Sequence, residues 1–244
     1  MVNAAVLVIG NEILSGRTKD ANVAYLGAEL AARGIILAEV RIIRDDQAAI
    51  IAALDTLRAS YTYVFTSGGI GPTHDDITSA AVAKAFGVDL VRDPEAVRRL
   101  QERHGAGELN AARLKMAEIP RGASLIDNPV SAAPGFRIEN VFVLAGVPRI
   151  LQAMFDGLRS SLAEGAAQIS RTIALLVREG DLADGLTSIQ ESHPLVEIGS
   201  YPNFTAKQPH VAIVARGTDP SELERVIAEV RALAGQLGAL VLEE

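Results

Sequence analysis

Two consecutive acids, Asp75 and Asp76, close a glycine-rich run that reads Ser67-Gly68-Gly69-Ile70-Gly71-Pro72-Thr73-His74-Asp75-Asp76-Ile77-Thr78. Glycines at 68, 69 and 71 permit positive φ and put no Cβ in the way of a ligand. Backbone N–H groups in such a turn can point at a phosphate, above all where a helix begins. The chemistry this suits is oxyanion binding. Bare carboxylates beside a phosphate repel it, so either a divalent cation joins them to the phosphate oxygens or they serve the helix that follows. Thr73 and Asp76 stand three apart, as in a capping box, which gives Asp76 a local role open beside metal or catalytic work.

Other polar turns carry the same residue types. Gly10-Asn11-Glu12-Ile13-Leu14-Ser15-Gly16 places a carboxylate between glycines, where capping explains it poorly, so Glu12 reads as functional. Asp45-Asp46 adds acids, and Asp45 either caps a helix from Gln47 or joins the site. Lys115 and Arg149 are candidate phosphate clamps, against the ordinary reading of surface cations. Asn128-Pro129 with Pro134-Gly135-Phe136 forms a rigid turn pair able to wall a pocket. His74 could ligate a metal, stack on a base or shuttle a proton, or simply be solvated, whereas His104, His193 and His210 lack a partner histidine at ligand spacing. HExxH, GxSxG, Walker and Rossmann glycine patterns are all missing.

These turns need elements to position them. Apolar runs alternate with amphipathic patterns: Ala4–Ile9 as strand, Asp20–Arg33 as helix, Ile36–Ile43 as strand, Gln47–Ser60 as helix and Tyr63–Ser67 as strand. Ile77, Ala81, Val82 and Ala85 continue at helical spacing. The alternation predicts βαβ units, and in an open parallel sheet the turns after strand ends face one crevice. Gly34 and Gly87 mark helix ends. A charged helix follows Asp93-Pro94, then a short helix over Asn110–Glu118, apolar runs at Ala123–Ile126, Gly135–Ile138 and Val141–Ala145, and a helix over Arg149–Leu162 with Pro148 at its first position. Small polar residues at 164–170 mark a domain boundary, giving domains of 1–165 and 170–244. Beyond it the order is strand Thr172–Val177, helix Gly180–Ser192, strands Val196–Tyr201 and His210–Ala215, helix Pro220–Leu237 and strand Ala239–Leu242, the ferredoxin-like βαββαβ order. No internal repeat or low-complexity segment interrupts this.

Composition narrows the classes. The chain has 244 residues, 49% hydrophobic and 22% charged, enough for a medium α/β domain and a smaller one. A net charge of −7 argues against sequence-independent nucleic-acid binding. With no cysteine, disulfides, thiolate metal sites and cysteine nucleophiles are excluded. No secretory leader or membrane-length apolar run is expected, and a cytoplasmic protein without membrane or nucleic-acid partners is the expectation.

The runs GNEILSG (10–16), Asp20-Ala21-Asn22, GGIGPTHDDIT (68–78), Asn128-Pro129 with APGF (133–136), and LAGVP (144–148) resemble the molybdopterin-binding (MoCF biosynthesis) domain of the competence/damage-inducible CinA proteins over about residues 4–165. The same domain occurs in molybdopterin adenylyltransferases and in eukaryotic FAD synthases, and residues 170–244, notably VEIGSYP (196–202), are similar to the small domain that follows it there. The resemblance implies a three-layer, doubly wound, mostly parallel α/β sheet of the MoaB/Mog type with a second, smaller ferredoxin-like α+β domain. It also implies a homo-oligomer, dimer or trimer. The nicotinamide-nucleotide amidase domain of long CinA proteins has no counterpart in the sequence, so that activity is not carried over. Adenylyltransferases usually carry an Arg-Asp-Val-Thr-type stretch after the glycine loop. Here Asp76 aligns with their catalytic aspartate and Asp75 stands where they have arginine, which disfavours pterin adenylylation and suits a metal ion.

The expectation is therefore a metal-dependent pyrophosphatase (Mg²⁺, Mn²⁺ or Co²⁺) acting on a dinucleotide such as ADP-ribose or FAD. Molybdopterin adenylyl transfer and non-catalytic binding of a nucleotide or pterin phosphate are the alternatives. Asp76, Asp45 and Glu12 are the expected catalytic residues, and Asp75, Asp76 and Glu12 the expected metal ligands. Gly10, Asn11, Ser67, Gly68, Gly69, Ile70, Gly71, Pro72, Thr73, Lys115 and Pro148 are expected to hold the ligand.

Overall fold

The run Asn3–Ile9 (β1) is apolar without alternation, and its last six residues are buried, as in a strand covered on both faces. In the computed structural model, which describes residues 2–166, 168–204 and 210–242 and not the side chain of Ala106, a single helical turn follows at Asn11–Leu14 (α1). Next come helix Asn22–Ala32 (α2), strand Ile36–Ile43 (β2), helix Gln47–Ser60 (α3), strand Tyr63–Ser67 (β3) and helix Thr78–Ala85 (α4). Gly34 and Gly87, both at positive φ, end α2 and α4 in the same way: their N–H groups and those of Ile35 and Val88 bond back to carbonyls of the last turn.

The chain continues through strand Leu90–Arg92 (β4), helix Pro94–His104 (α5) and helix Ala111–Lys115 (α6) to strand Glu118–Pro120 (β5). The helix expected to reach Glu118 stops at Lys115, because Glu118–Pro120 pairs antiparallel with β4 instead. Strands Ser124–Ile126 (β6), Gly135–Ile138 (β7) and Val141–Leu144 (β8) lead to helix Pro148–Leu158 (α7). That helix ends four residues before Leu162, its last turn tightening to a 3₁₀ turn at Arg159–Ser161.

Six strands form one sheet in the order β2-β1-β3-β8-β7-β6. The first four run parallel, and β7 alone is reversed, pairing antiparallel with β8 on one side and β6 on the other, so the sheet is mostly parallel as expected. Alternate residues of β1 feed two cores. Ala4, Val6 and Val8 pack with Phe65, Phe142, α2 and α7 on one face, while Ala5, Leu7 and Ile9 pack with Val64, Val143, α3 and α4 on the other. The helices on opposite faces belong to crossovers leaving β1 and β2 in opposite directions, so strand order reverses between β1 and β3. Their carboxyl ends diverge there into a crevice, the position where open α/β sheets bind ligands.

Contacts divide the chain into two compact units, Met1–Gly165 and Ala166–Glu244. The second unit contains strand Ile169–Leu176 (β9), helix Glu179–Ser192 (α8), strands Glu197–Asn203 (β10) and His210–Gly217 (β11), helix Pro220–Gln236 (α9) and strand Leu240–Leu242 (β12). Its sheet is antiparallel in the order β10-β11-β9-β12, the ferredoxin-like arrangement. Asp219 caps α9 by accepting from Ser221 N at 2.8 Å, with Pro220 in the first turn.

Candidate functional site

The sheet register brings the turns together. Val8 of β1 stands opposite Ser67 of β3, and Ser67 opposite Leu144 of β8, so Gly10, Gly68 and Ala145 all leave the sheet at one edge. A cavity of about 510 Å³ lies there, within the range of small-molecule sites. Glu12, Asp45, Asp75 and Asp76 all line it, together with Gly10, the stretch Gly68 to Pro72, and Pro148. Apolar cover comes from Ile9, Ile70, Met116, Val147 and Ile150.

The glycine turn is built by close approach. A Cβ on Gly68, at φ +108°, would lie 2.3 Å from the carbonyl oxygen of Ile9, and one on Gly69, at φ +71°, would lie 2.1 Å from Oγ1 of Thr78. Thr78 closes the turn from the helix side, its hydroxyl donating to Gly68 O at 3.0 Å and its N–H to Gly69 O at 2.9 Å.

Asp76 accepts from Thr73 N at 2.8 Å and from Thr73 Oγ1 at 2.5 Å. The three-residue spacing thus makes a bonded turn, but it stands ahead of α4, whose own N-cap is Ile77 without a side-chain bond. Asp75 is more exposed, and its carboxyl is held below the usual range, first by the Thr73 hydroxyl, then by its own backbone N–H and by His74 and Lys115. Thr73 has one hydroxyl proton, for which Asp75 and Asp76 compete, with Asp76 the bonded partner in this arrangement.

The acids of the other turns have separate anchors. Asp46, not Asp45, caps α3, accepting from Ala49 N at 2.8 Å. Asp45 instead accepts from Asn11 N at 2.9 Å, which ties α1 to the end of β2. The Glu12 carboxylate folds over Gly10, where a Cβ would come within 2.5 Å of its Oε1.

Among the described residues, no group of three or more His, Asp and Glu side chains is arranged to hold a metal ion. Glu12, Asp75 and Asp76 share a cavity without forming a pre-built centre, since Asp76 is turned to Thr73 and Glu12 lies over Gly10. Glu12, Asp75 and Asp76 are the expected ligands whose carboxylates reach the cavity and could hold a cation there.

The cations stand differently from expectation. Lys115 donates from Nζ to Thr73 O, bracing the acidic turn, and it lines a small neighbouring pocket with Asp76. Arg149 is exposed on the first turn of α7 and is not among the residues lining the large cavity. His74 is almost fully exposed, at 98%. Ser67 is buried, its oxygen accepting from Nδ2 of Asn22 at 2.8 Å.

Of the two turns expected to wall the pocket, Asn128 lines the cavity, while Pro129, Pro134, Gly135 and Phe136 are not among its lining residues. Asn128 Nδ2 donates to Ser131 Oγ and Ala133 O, both at 2.7 Å, and its Oδ1 accepts from Val130 N and Ser131 N, both at 3.1 Å. Two contributors escaped sequence reasoning. Thr18 lines the cavity and Asn22 fastens its rear. A lone threonine in a polar turn carries no spacing signal, and Asn22 stood only within a family motif.

Comparison with known proteins agrees with this architecture. Residues 5–164 match the family model described as a probable molybdopterin binding domain, and residues 167–239 match the FAD synthase middle domain. A CinA-like protein of Syntrophus aciditrophicus is 35% identical over 95% of this chain, which spans 58% of that relative's length. A probable FAD synthase of Caenorhabditis elegans is 32% identical over 94% of this chain, which spans 49% of it. The crystal structure of a CinA protein of unknown function from Thermoplasma acidophilum superposes with a TM-score of 0.62 at 36% identity, covering 65% of this chain and 96% of that one. Among the described residues no helix is long and apolar enough to cross a membrane. With its larger unit matched almost end to end, the chain belongs to the probable molybdopterin binding domain family, here followed by a domain of the FAD synthase middle type.

Proposed function

We propose that this protein is a divalent-metal-dependent pyrophosphatase that hydrolyses a dinucleotide such as ADP-ribose or FAD between its two phosphates. The observation that carries the reading is the convergence of Glu12, Asp45, Asp75 and Asp76 on the cavity that the glycine turn lines. A diphosphate seated on Gly68 to Gly71 would be surrounded by negative charge, an arrangement that needs a cation. Asp75 and Asp76 from one turn and Glu12 from the other are the residues that would hold it. A bound metal supplies Lewis-acid polarisation of the phosphoryl oxygens and a more acidic water.

The chain's own residues do the rest. Backbone N–H groups of the glycine turn bind the phosphate, and Lys115 keeps the acidic turn in place through Thr73. Asp45, which lines the cavity outside that ligand set, would accept the one proton lost by the attacking water. The water oxygen bonds to one phosphorus, and the bridging oxygen leaves with the other phosphate, giving AMP and ribose 5-phosphate or FMN. The apolar wall at Ile70, Met116, Val147 and Ile150 gives a base or flavin ring a surface to pack on.

Purified protein incubated with ADP-ribose or FAD and Mg²⁺, Mn²⁺ or Co²⁺ is expected to release AMP, and chelation is expected to stop it. Asp76→Ala is expected to slow release by about 100-fold or more. No AMP with any of the three metals, or full activity in Asp76→Ala, overturns the reading. The family match favours a second one, adenylyl transfer to molybdopterin, for which ATP consumption would depend on added pterin.

A further inference from the structure

Asn22, the first residue of α2, is 3% exposed and unbalanced in its hydrogen bonds. Its Nδ2 donates to Ser67 Oγ at 2.8 Å and to Gly146 O at 2.7 Å. A backbone carbonyl only accepts, so Gly146 fixes which way the amide faces. Oδ1 is then left buried with no partner. Such an orphan acceptor is costly, and in a native core it calls for an explanation. Packing does not provide one, whereas the position of the two amide protons does.

Those protons grip the two strand ends that carry the cavity. Ser67 ends β3, and Gly146 lies just beyond β8. The two segments touch closely: Gly68 N donates to Leu144 O at 3.2 Å, and a Cβ on Gly146 would lie 3.2 Å from Cα of Gly68. The Ser67 oxygen accepts from Asn22, so its own proton must be directed elsewhere. Ser67 also lines a small cavity of about 60 Å³, shared with Glu12, Thr18 and Pro148, which line the large one as well.

We infer that Asn22 is a positioning residue: it acts through Ser67 and Gly146 to set the spacing of the glycine turn against the β8–α7 turn. It also turns the Ser67 hydroxyl proton toward the cavity, as a donor for a phosphoryl oxygen or its water. The catalytic part of this inference rests on the pyrophosphatase reading, while the spacing does not.

The test uses the full chain with Asn22→Asp, close in shape but without amide protons, and Ser67→Ala, which removes only the hydroxyl. Amide hydrogen exchange at Gly68, whose N–H donates to Leu144 O, is expected to quicken at least about tenfold in Asn22→Asp and by less in Ser67→Ala, which leaves the bond from Asn22 to Gly146 in place. With ADP-ribose and Mn²⁺, both variants are expected to lose at least about tenfold in kcat with KM within about twofold. Unchanged exchange at Gly68 in Asn22→Asp overturns the inference, as does faster exchange spread evenly over β1 and β3 with kcat intact. If Asn22→Asp does not fold, Asn22→Ser takes its place with the same expectations. Should the wild type release no AMP, the pyrophosphatase reading fails, and exchange at Gly68 alone decides whether Asn22 positions the turn.

Discussion

Glycines of one turn serve different ends, and substitution should separate them. At Gly68 an added Cβ meets the backbone oxygen of Ile9 at 2.3 Å and φ is +108°, so neither neighbour nor chain can yield easily. Gly68→Ala is expected to destabilise the first unit by about 1–3 kcal/mol. Urea denaturation would show it, and an unmoved midpoint would count against the close approach. At Gly71 the atoms nearest an added Cβ belong to the Asp76 carboxylate, the closest 2.7 Å away at the end of a flexible side chain. Gly71→Ala is expected to leave the midpoint nearly unchanged while AMP release falls about tenfold or more, because Asp76 is pushed off its Thr73 anchor. Wild-type turnover in that variant would remove Asp76's position from the mechanism. The sequence showed that three glycines and two acids shared a turn, but not which glycine faced backbone and which faced a carboxylate. That depends on which glycine the fold brings against Ile9 and which against Asp76.

Among the elements, the contact of α8 with α9 gave the least sequence signal. His193, without a partner histidine in the sequence, reads there as an ordinary side chain. In the fold it caps the end of α8 and is 6% exposed. Its Nδ1 lies 2.6 Å from Glu222 and its Nε2 3.1 Å from Glu229, two carboxylates seven residues apart on one face of α9. Glu222 first and Glu229 second raise the imidazole above its ordinary pKa. A raised folded-state pKa stabilises fully below the unfolded value of about 6.5, and that stability is lost as pH rises through the folded value. The second unit is therefore expected to melt lower at about pH 9 than at about pH 6, with the step removed in His193→Gln. Calorimetry across that range checks it, and a flat or rising melting temperature contradicts the assignment. Elements with strong periodicity were legible in advance: α3 and β3 begin and end where their patterns do. β5 was not, since three residues gain strand form only from β4 across from them.

For the chain as a whole, separate cores are the governing fact. Those of the first unit draw on residues up to Leu162, while Ile173, Leu175, Ile213, Leu223 and Val230 build another entirely within Ala166–Glu244. Heating is expected to give two calorimetric transitions, and ADP-ribose with Mn²⁺ should raise only the one belonging to the first unit. A single transition, or a ligand shift in the other, would oppose this division and the placement of the site. The order of the longer strands and helices, the glycine turn and the acids flanking it were determined by sequence alone, because period, glycine placement and capping chemistry are local. The meeting of those acids was not local. Glu12, Asp45 and Asp76 come from turns more than thirty residues apart, and they share a cavity because strand order reverses between β1 and β3, leaving the three turns at one edge. Likewise the sequence offered Glu12, Asp75 and Asp76 as a ligand set, but folding gave Asp76 to Thr73 and laid Glu12 over Gly10. Hydrogen-bond partners are distributed by distance in space, which no spacing along the chain encodes.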